Sequence, residues 1–119
     1  MQQWICNQPG TLSLQEVEMP TRKPGFSLLR VRNIGICGTD IHAFAGNQPF
    51  FNYPRILGHE LAVEIVESDT FVKGELATII PYFNCASCDA CTVGNPNCCE
   101  SLQVFGVHID GGMREYISV

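Results

Sequence analysis

Five of the seven cysteines of this chain lie within the fifteen positions from Cys85 to Cys99. Three of them have the spacing C-x2-C-x2-C, and Cys99 follows Cys91 after seven intervening residues. An odd number of cysteines, crowded into one segment, does not suit a disulfide framework, and such clusters in a reducing compartment are more often metal ligands. The surrounding segment, 82–100, has almost no apolar periodicity, so a hydrophobic core cannot hold it together. We therefore predict that this segment, the cysteine lobe, folds around a metal ion.

The three thiolates of the C-x2-C-x2-C run and a fourth from Cys98 or Cys99 suit a tetrahedral Zn²⁺ site with no open position. Metal binding would supply much of the folding free energy of such a lobe. Neighbouring side chains in extended backbone point in different directions, so only one of the adjacent pair is expected to reach the metal, and the spacing alone does not choose between them. Two alternatives are free buried cysteines and an iron–sulfur cluster. Bacterial ferredoxins share the opening spacing but continue x3-C-P, where this chain has x7.

The rest of the chain has the pattern of a β protein. Several short stretches are alternating or β-branched and are separated by turns that contain Gly and Pro, which number 11 and 7. The one convincing helical turn begins at Thr39 or Asp40, both good N-caps, and closes at Gly46. We predict a single mainly β domain, a barrel or sandwich, over residues 1–119. The predicted strands are 3–6, 11–17, 27–36, 61–67, 76–80, 104–107 and 113–119.

The charge balance argues against several classes of partner. The net charge of −5 would repel a phosphate backbone and the basic residues do not cluster, so we expect no nucleic-acid partner. No apolar run approaches the roughly 20 residues that span a bilayer, and residues 1–10 lack a basic segment followed by an apolar stretch. We therefore expect no membrane partner and a soluble, non-secreted, cytoplasmic protein.

A second group of candidate metal ligands precedes the cysteine lobe. Cys37 opens the segment C-G-T-D-x-H, and His59 and Glu60 follow a glycine. Each residue alone is a weak signal, because single Cys and His residues are commonly structural. Taken in order with the four-cysteine spacing and with D-G-G-M-R-E-Y at 110–116, however, they make the whole chain resemble a known family. The chain resembles the N-terminal, GroES-like catalytic domain of zinc-dependent medium-chain alcohol dehydrogenases, and most of all the polyol, sugar-acid and threonine dehydrogenases.

The resemblance implies roles for individual residues near the first motif. Cys37 and His59 would be ligands of a catalytic zinc, and Glu60 would be a neighbour able to approach or exchange onto the metal. Asp40 would accept the other ring N–H of His59 and fix its tautomer. The alternative role for Asp40 is a plain helix cap.

The resemblance also implies a proton relay and completes the structural site. Thr39 would place its hydroxyl beside the substrate alcohol, and His42 would lie near the exit to solvent. The alternatives are a second helix cap for Thr39 and an exposed helix residue without a role for His42. The family spacing selects Cys99 over Cys98, so the ligands of the structural zinc would be Cys85, Cys88, Cys91 and Cys99.

The fold implied by the resemblance is a partly open GroES-like β-barrel with short helices and a zinc-stabilised lobe. The implied activity is oxidation of an alcohol, such as a polyol, a sugar acid or another secondary alcohol, to a carbonyl with NAD or NADP. An open position on zinc lowers the pKa of a bound hydroxyl, which prepares the substrate for loss of hydride.

No G-x-G-x-x-G lies between a strand and a helix in this chain. We therefore expect the Rossmann cofactor domain and the third ligand of the catalytic zinc in sequence beyond Val119. The chain alone is expected to be inactive, and the longer oxidoreductase is expected to be a homo-oligomer acting on a small-molecule alcohol. The alternative is a stand-alone zinc-stabilised β-barrel that serves as a binding or assembly module.

Overall fold

The computed structural model describes residues 1–49 and 51–119, and these form three antiparallel sheets with two short helices. The predicted mainly β architecture with short helices is confirmed. Within these ranges no helix is long and apolar enough to cross a membrane. The strands are β1 (Gln2–Gln8), β2 (Thr11–Glu16), β3 (Leu28–Gly35), β4 (Glu60–Glu67), β5 (Leu76–Thr78), β6 (Tyr82–Phe83), β7 (Gln103–Val104) and β8 (Tyr116–Ser118), and the helices are α1 (Gly38–Ala45) and α2 (Asp89–Thr92).

The largest sheet has the strand order β5-β4-β3-β8, and the pairing of β3 with β4 determines where the chain's polar residues meet. In that antiparallel pair Gly35, the last residue of β3, is opposite Glu60, the first residue of β4. The residues that follow β3 and those that precede β4 therefore lie at the same end of the sheet. This register brings Cys37 beside His59 although 22 positions separate them in sequence.

The hydrophobic core has two parts. Along β4 the side chains of Leu61, Val63 and Ile65 are buried while the intervening ones are more exposed, which is the period of two expected for a strand with one face toward a core. Each such side chain contributes about 1.5–3 kcal/mol on full burial. The first cluster comprises Leu29, Leu61, Val63, Ile65, Phe105 and Ile117, and the second comprises Cys6, Ala43, Phe51, Leu57 and Val107.

The hairpin of β1 and β2 is joined to the rest of the chain by backbone contacts. Gln3 forms an isolated bridge with Arg114, and Cys6 forms one with Arg55. The Cys6 side chain is fully buried in the second core cluster. The hairpin is thereby anchored beside helix α1 and the loop that leads to His59.

Helix α1 starts earlier than the sequence predicted. Its N-cap is Cys37 rather than Thr39 or Asp40, which both lie in the first turn. The physical reason is that the Asp40 carboxylate accepts a hydrogen bond from the backbone N–H of Cys37 at 3.0 Å, so the acidic residue caps from inside the helix. The helix ends as predicted at Gly46, which has a left-handed φ of 80°.

The loop before β4 packs closely against other parts of the chain at its glycine contacts. Gly58 has a φ of 88°, a conformation that favours glycine. A Cβ atom on Gly111 would lie within 3 Å of the carbonyl oxygens of Leu57 and Gly58. Gly111 and Gly112 also donate backbone hydrogen bonds to Ile56 and Gly58 at 2.7 Å each. The position of His59 is therefore fixed largely by the main chain.

Candidate metal centres

The cysteine lobe gathers four sulfur atoms from the segment between β6 and β7. The Sγ atoms of Cys85, Cys88, Cys91 and Cys99 all lie within 4.8 Å of one another. The Cys85 sulfur is 3.5 Å from that of Cys99 and 4.0 Å from that of Cys91. Zn–S bonds of about 2.3 Å in a tetrahedron place sulfurs about 3.8 Å apart, so the four-sulfur set fits Zn²⁺.

Backbone geometry separates the two adjacent cysteines. Cys98 ends the 3₁₀ turn Pro96–Cys98, is exposed, and accepts a weak hydrogen bond from the side-chain amide of Asn97 at 3.5 Å. Cys99 is 7% exposed and its sulfur accepts from the backbone N–H of Cys85 at 3.3 Å. The fourth sulfur of the cluster is thus that of Cys99, while Cys98 faces solvent.

The thiol groups of the lobe have strongly divergent acidities. Hydrogen bonds from the backbone and hydroxyl of Ser87 lower the pKa of Cys85 to about 5. The backbone N–H of Cys85 likewise lowers the pKa of Cys99. Desolvation, together with hydrogen bonds to the neighbouring thiols, raises the pKa of Cys91 to about 12. Anionic sulfurs at this spacing repel one another, and a dication would stabilise the thiolate form of every one.

The second cluster joins Cys37, Asp40 and His59, whose candidate ligand atoms also lie within 4.8 Å of one another. The Nε2 atom of His59 is 3.2 Å from the Sγ of Cys37. A zinc ion with ordinary Zn–S and Zn–N bonds holds these atoms about 3.6 Å apart, so the pair fits as two ligands of one metal. Two protein ligands leave the remaining positions for other groups.

Asp40 is 3% exposed, and its carboxylate accepts hydrogen bonds chiefly from backbone amides. One carboxylate oxygen accepts from the N–H of Cys37 and the other from the N–H of Gly58, both at 3.0 Å. The Nδ1 atom of His59 lies 3.8 Å from Asp40, beyond hydrogen-bond distance, and is buried without a partner among the described residues. The hydrogen bond from His59 to Asp40 stays a prediction, and the observed contacts fasten together the two segments that carry Cys37 and His59.

The other sequence-predicted residues are placed at different distances from this cluster. Thr39 lines a cavity of about 250 Å³ that His59 also lines. His42 is exposed on α1, and it is not part of that lining within the part of the chain that the structure describes. Glu60 is exposed at the start of β4, where it packs against Gly35 and lines a second cavity, of about 480 Å³, with His59. The structure thus brings Thr39 close to the cluster and leaves His42 at the surface.

Sequence reasoning missed three polar residues of the smaller cavity, which are Gln48, Tyr82 and His108. Gln48 and His108 lie in loops and Tyr82 lies in strand β6, and two valines, Val104 and Val107, complete the lining. No motif spacing could have united them. The available signal was that each closely follows a predicted element: Gln48 the helical turn, Tyr82 the strand 76–80 and His108 the strand 104–107.

The family model for the alcohol dehydrogenase GroES-like domain matches residues 23–119. L-galactonate-5-dehydrogenase of Escherichia coli K12 is 48% identical over 119 residues, with 97% of this chain and 35% of that protein covered. L-threonine 3-dehydrogenase of Pyrococcus horikoshii is 36% identical over 113 residues, with 89% of this chain and 32% of that protein covered.

A solved structure of the alcohol dehydrogenase RspB of Escherichia coli CFT073, in complex with NADH, superposes with a TM-score of 0.90 at 37% identity. The superposition covers 100% of this chain and 36% of RspB. The GroES-like fold predicted from the sequence motifs is confirmed by these matches. The chain spans about a third of the length of the relatives it matches.

Proposed function

Since the chain belongs to the alcohol dehydrogenase GroES-like domain family, we propose that it is the zinc-binding catalytic domain of an oxidoreductase that oxidises a secondary alcohol of the polyol or sugar-acid class with NAD or NADP. The observation that carries the proposal is the 3.2 Å approach of Cys37 Sγ to His59 Nε2 at the edge of an open cavity. A sulfur and an imidazole nitrogen supplied by two loops, with space beside them, suit a metal site that must also admit substrate.

Each residue of this cluster has a defined task in the proposal. Cys37 as thiolate and His59 as neutral imidazole hold zinc, which when bound polarises the substrate hydroxyl and lowers its pKa. Thr39 lines the same cavity, and its hydroxyl would accept the proton released from the substrate and pass it toward solvent. His42, exposed on α1, is the proposed outer end of that route. Glu60 is proposed as a carboxylate that can approach the metal from the larger cavity.

The cysteine lobe has a separate, structural role in the proposal. Its four sulfurs enclose one zinc completely, which leaves no position for substrate. The lobe contributes few buried apolar side chains, so zinc binding would supply much of its stability. Seven unpaired thiols suit a reducing compartment such as the cytoplasm.

The remaining parts of the catalytic unit are proposed to lie in a longer protein. Large apolar side chains such as Ile36, Leu76 and Ile80 are 68%, 77% and 78% exposed, and contact with further protein would bury them. We propose that this further sequence supplies a Rossmann cofactor domain and a third ligand to the zinc held by Cys37 and His59. We propose, in addition, that the whole protein is a homo-oligomer.

The test compares residues 1–119 with the longer protein that contains them, using NAD and NADP against a panel of polyols and sugar acids. The longer protein should oxidise at least one substrate, and the shorter one none, even with saturating zinc. Holding nicotinamide beside the substrate can contribute about 7–11 kcal/mol of barrier reduction, which a chain without a dinucleotide site lacks.

Variants of the longer protein identify the metal ligands. Cys37→Ser and His59→Ala should abolish turnover while one zinc per chain remains in the cysteine lobe. Cys98→Ser is the matched control, because its sulfur faces solvent, and it should retain full activity. Turnover by residues 1–119 alone, or activity that survives the loss of Cys37 and His59, would contradict the proposal.

A further inference from the structure

His108 lines the cavity beside the Cys37–His59 cluster, and one nitrogen of its ring is held by the backbone. Its Nδ1 atom accepts a hydrogen bond from the backbone N–H of Val104 at 3.0 Å. A neutral imidazole has one acceptor and one donor nitrogen, so this bond assigns the proton to Nε2. The ring therefore offers an N–H group to a ligand and not a second lone pair.

The turn that carries His108 is held rigidly. The carbonyl of Val104 accepts from the N–H of Val107 at 3.1 Å and from that of His108 at 2.9 Å. Val107 is 7% exposed and packs in the second core cluster. Both backbone groups of Val104 are thereby engaged by this turn, which orients the ring before any ligand arrives.

The cavity between His59 and His108 has polar groups suited to an oxygen-rich ligand. Thr39, Gln48 and Tyr82 contribute two hydroxyls and an amide, and Val104 and Val107 contribute the apolar wall. Among the described residues that line it there is no Asp, Glu, Lys or Arg. Within this lining a carboxylate or a row of hydroxyls would meet hydrogen-bond donors and no acidic side chain.

We propose that His108 determines substrate specificity by donating from Nε2 to a carboxylate or hydroxyl oxygen of a polyhydroxylated substrate, on the part of the molecule away from the reacting carbinol. The inference rests on the function proposed above and names the residue that selects the sugar-acid class over simple secondary alcohols. A site built to donate to a substrate oxygen discriminates strongly against an analogue that lacks it, because the donor is then left unpaired.

Two substitutions separate this role from a structural one. His108→Asn can keep an acceptor near the Nδ1 position for the Val104 amide but loses the distal donor. His108→Gln can place an N–H near the Nε2 position but loses the acceptor near the backbone. If His108 selects substrate, the Asn variant loses discrimination between sugar acids and simple alcohols, and the Gln variant keeps part of it. If His108 only stabilises the turn, the Gln variant is affected more than the Asn variant.

The experiment measures kcat/KM in the longer protein for a sugar acid and for 2-butanol, together with the affinity of the zinc-loaded protein for the sugar acid by calorimetry. We expect His108→Asn to lower kcat/KM and affinity for the sugar acid by about 10–100-fold, as for loss of a hydrogen bond to a charged acceptor, with less than about 3-fold change for 2-butanol. Unchanged melting temperatures will show that the fold is intact.

Each remaining outcome is decisive for one of the two proposals. Equal losses for both substrates, or a larger loss in the Gln than in the Asn variant, overturn the role of His108. A protein that binds the sugar acid with His108-dependent affinity but turns over no alcohol overturns the proposed function and leaves the His108 inference supported. Absence of sugar-acid binding in the unsubstituted protein overturns the inference.

Discussion

The carboxylate of Asp40 accepts a hydrogen bond from the backbone amide of Gly58 at 3.0 Å, in a buried position. The same side chain accepts from the amide of Cys37, so one carboxylate joins the loop after β3 to the loop before β4. A hydrogen bond from an amide to a charged acceptor contributes about 1.5–3 kcal/mol. Asp40 therefore holds together the two segments that carry Cys37 and His59.

Replacing Asp40 tests this bridging role. Asp40→Ala should lower the free energy of unfolding by about 2–5 kcal/mol, because two buried amides lose their acceptor. Asp40→Asn should cost less, since its amide oxygen can still accept from one of them. Chemical denaturation gives both values. His42→Ala, on the exposed face of the same helix, is the control and should change stability by less than about 0.5 kcal/mol.

The cysteine lobe should bind one zinc per chain that resists dialysis, with no visible absorbance. Cys91→Ser should release this zinc and lower the melting temperature, because a structural ligand contributes metal-linked folding free energy. The matched substitution Cys98→Ser should do neither. Metal analysis and thermal melts check both variants. Iron in the purified protein, or loss of zinc from Cys98→Ser but not from Cys99→Ser, would show that the ligand assignment is wrong.

The reactivity of the thiols after zinc is removed tests whether the four sulfurs keep their arrangement without the metal. A pKa lowered to about 5 makes Cys85 a thiolate above that pH, whereas the pKa of Cys91, raised to about 12, keeps it protonated at neutral pH. The rate of alkylation by iodoacetamide is followed for each residue by mass spectrometry. The rate at Cys85 should reach half its maximum near pH 5, and Cys91 should be nearly unmodified at pH 7. If both react with the same pH profile, the lobe does not keep this geometry without its metal.

The glycine contact beneath His59 should not tolerate a methyl group. Gly111→Ala would push a Cβ against the carbonyl oxygens of Leu57 and Gly58, which are backbone atoms and cannot rotate away. We expect a loss of about 1–3 kcal/mol or more, as for overpacking in a dense core. Gly38→Ala is the control, since nothing lies within 4 Å of its Cβ position and it sits in the first turn of α1. Urea unfolding should show Gly38→Ala near neutral, and equal effects would contradict the steric account.

The sequence predicted the positions of strands well, but it predicted poorly which residues distant in the chain come into contact. The alternation in β4 and the strands around it follow from side-chain period, so their positions agree with the structure to within a few residues. The short strand β6, Tyr82–Phe83, was missed because two residues carry no period and form a strand only by pairing with β7. The family motif predicted a contact between Asp40 and the ring of His59. The contacts of Asp40 with the amides of Cys37 and Gly58 could not be predicted, because they depend on the β3–β4 register.

The cavity lining shows the same limit more sharply. Gln48 and His108 lie in loops and Tyr82 begins the two-residue strand β6, and the folded chain brings these distant positions to one wall. Spacing identifies ligands that lie close along the chain, such as those of the cysteine lobe. It cannot identify residues whose neighbours are determined by strand order.

Because Gly58 packs against Gly111 through backbone atoms, the position of the proposed metal ligand His59 and the choice of substrate can be altered independently. Backbone contacts fix the position of His59. Side chains from other parts of the chain, Gln48, Tyr82 and His108, form the wall of the adjoining cavity. Libraries restricted to Gln48, Tyr82 and His108 should therefore retune which molecule enters without disturbing the metal's anchorage. The domain thus combines a metal-ligand position fixed by backbone with a cavity wall formed by replaceable side chains.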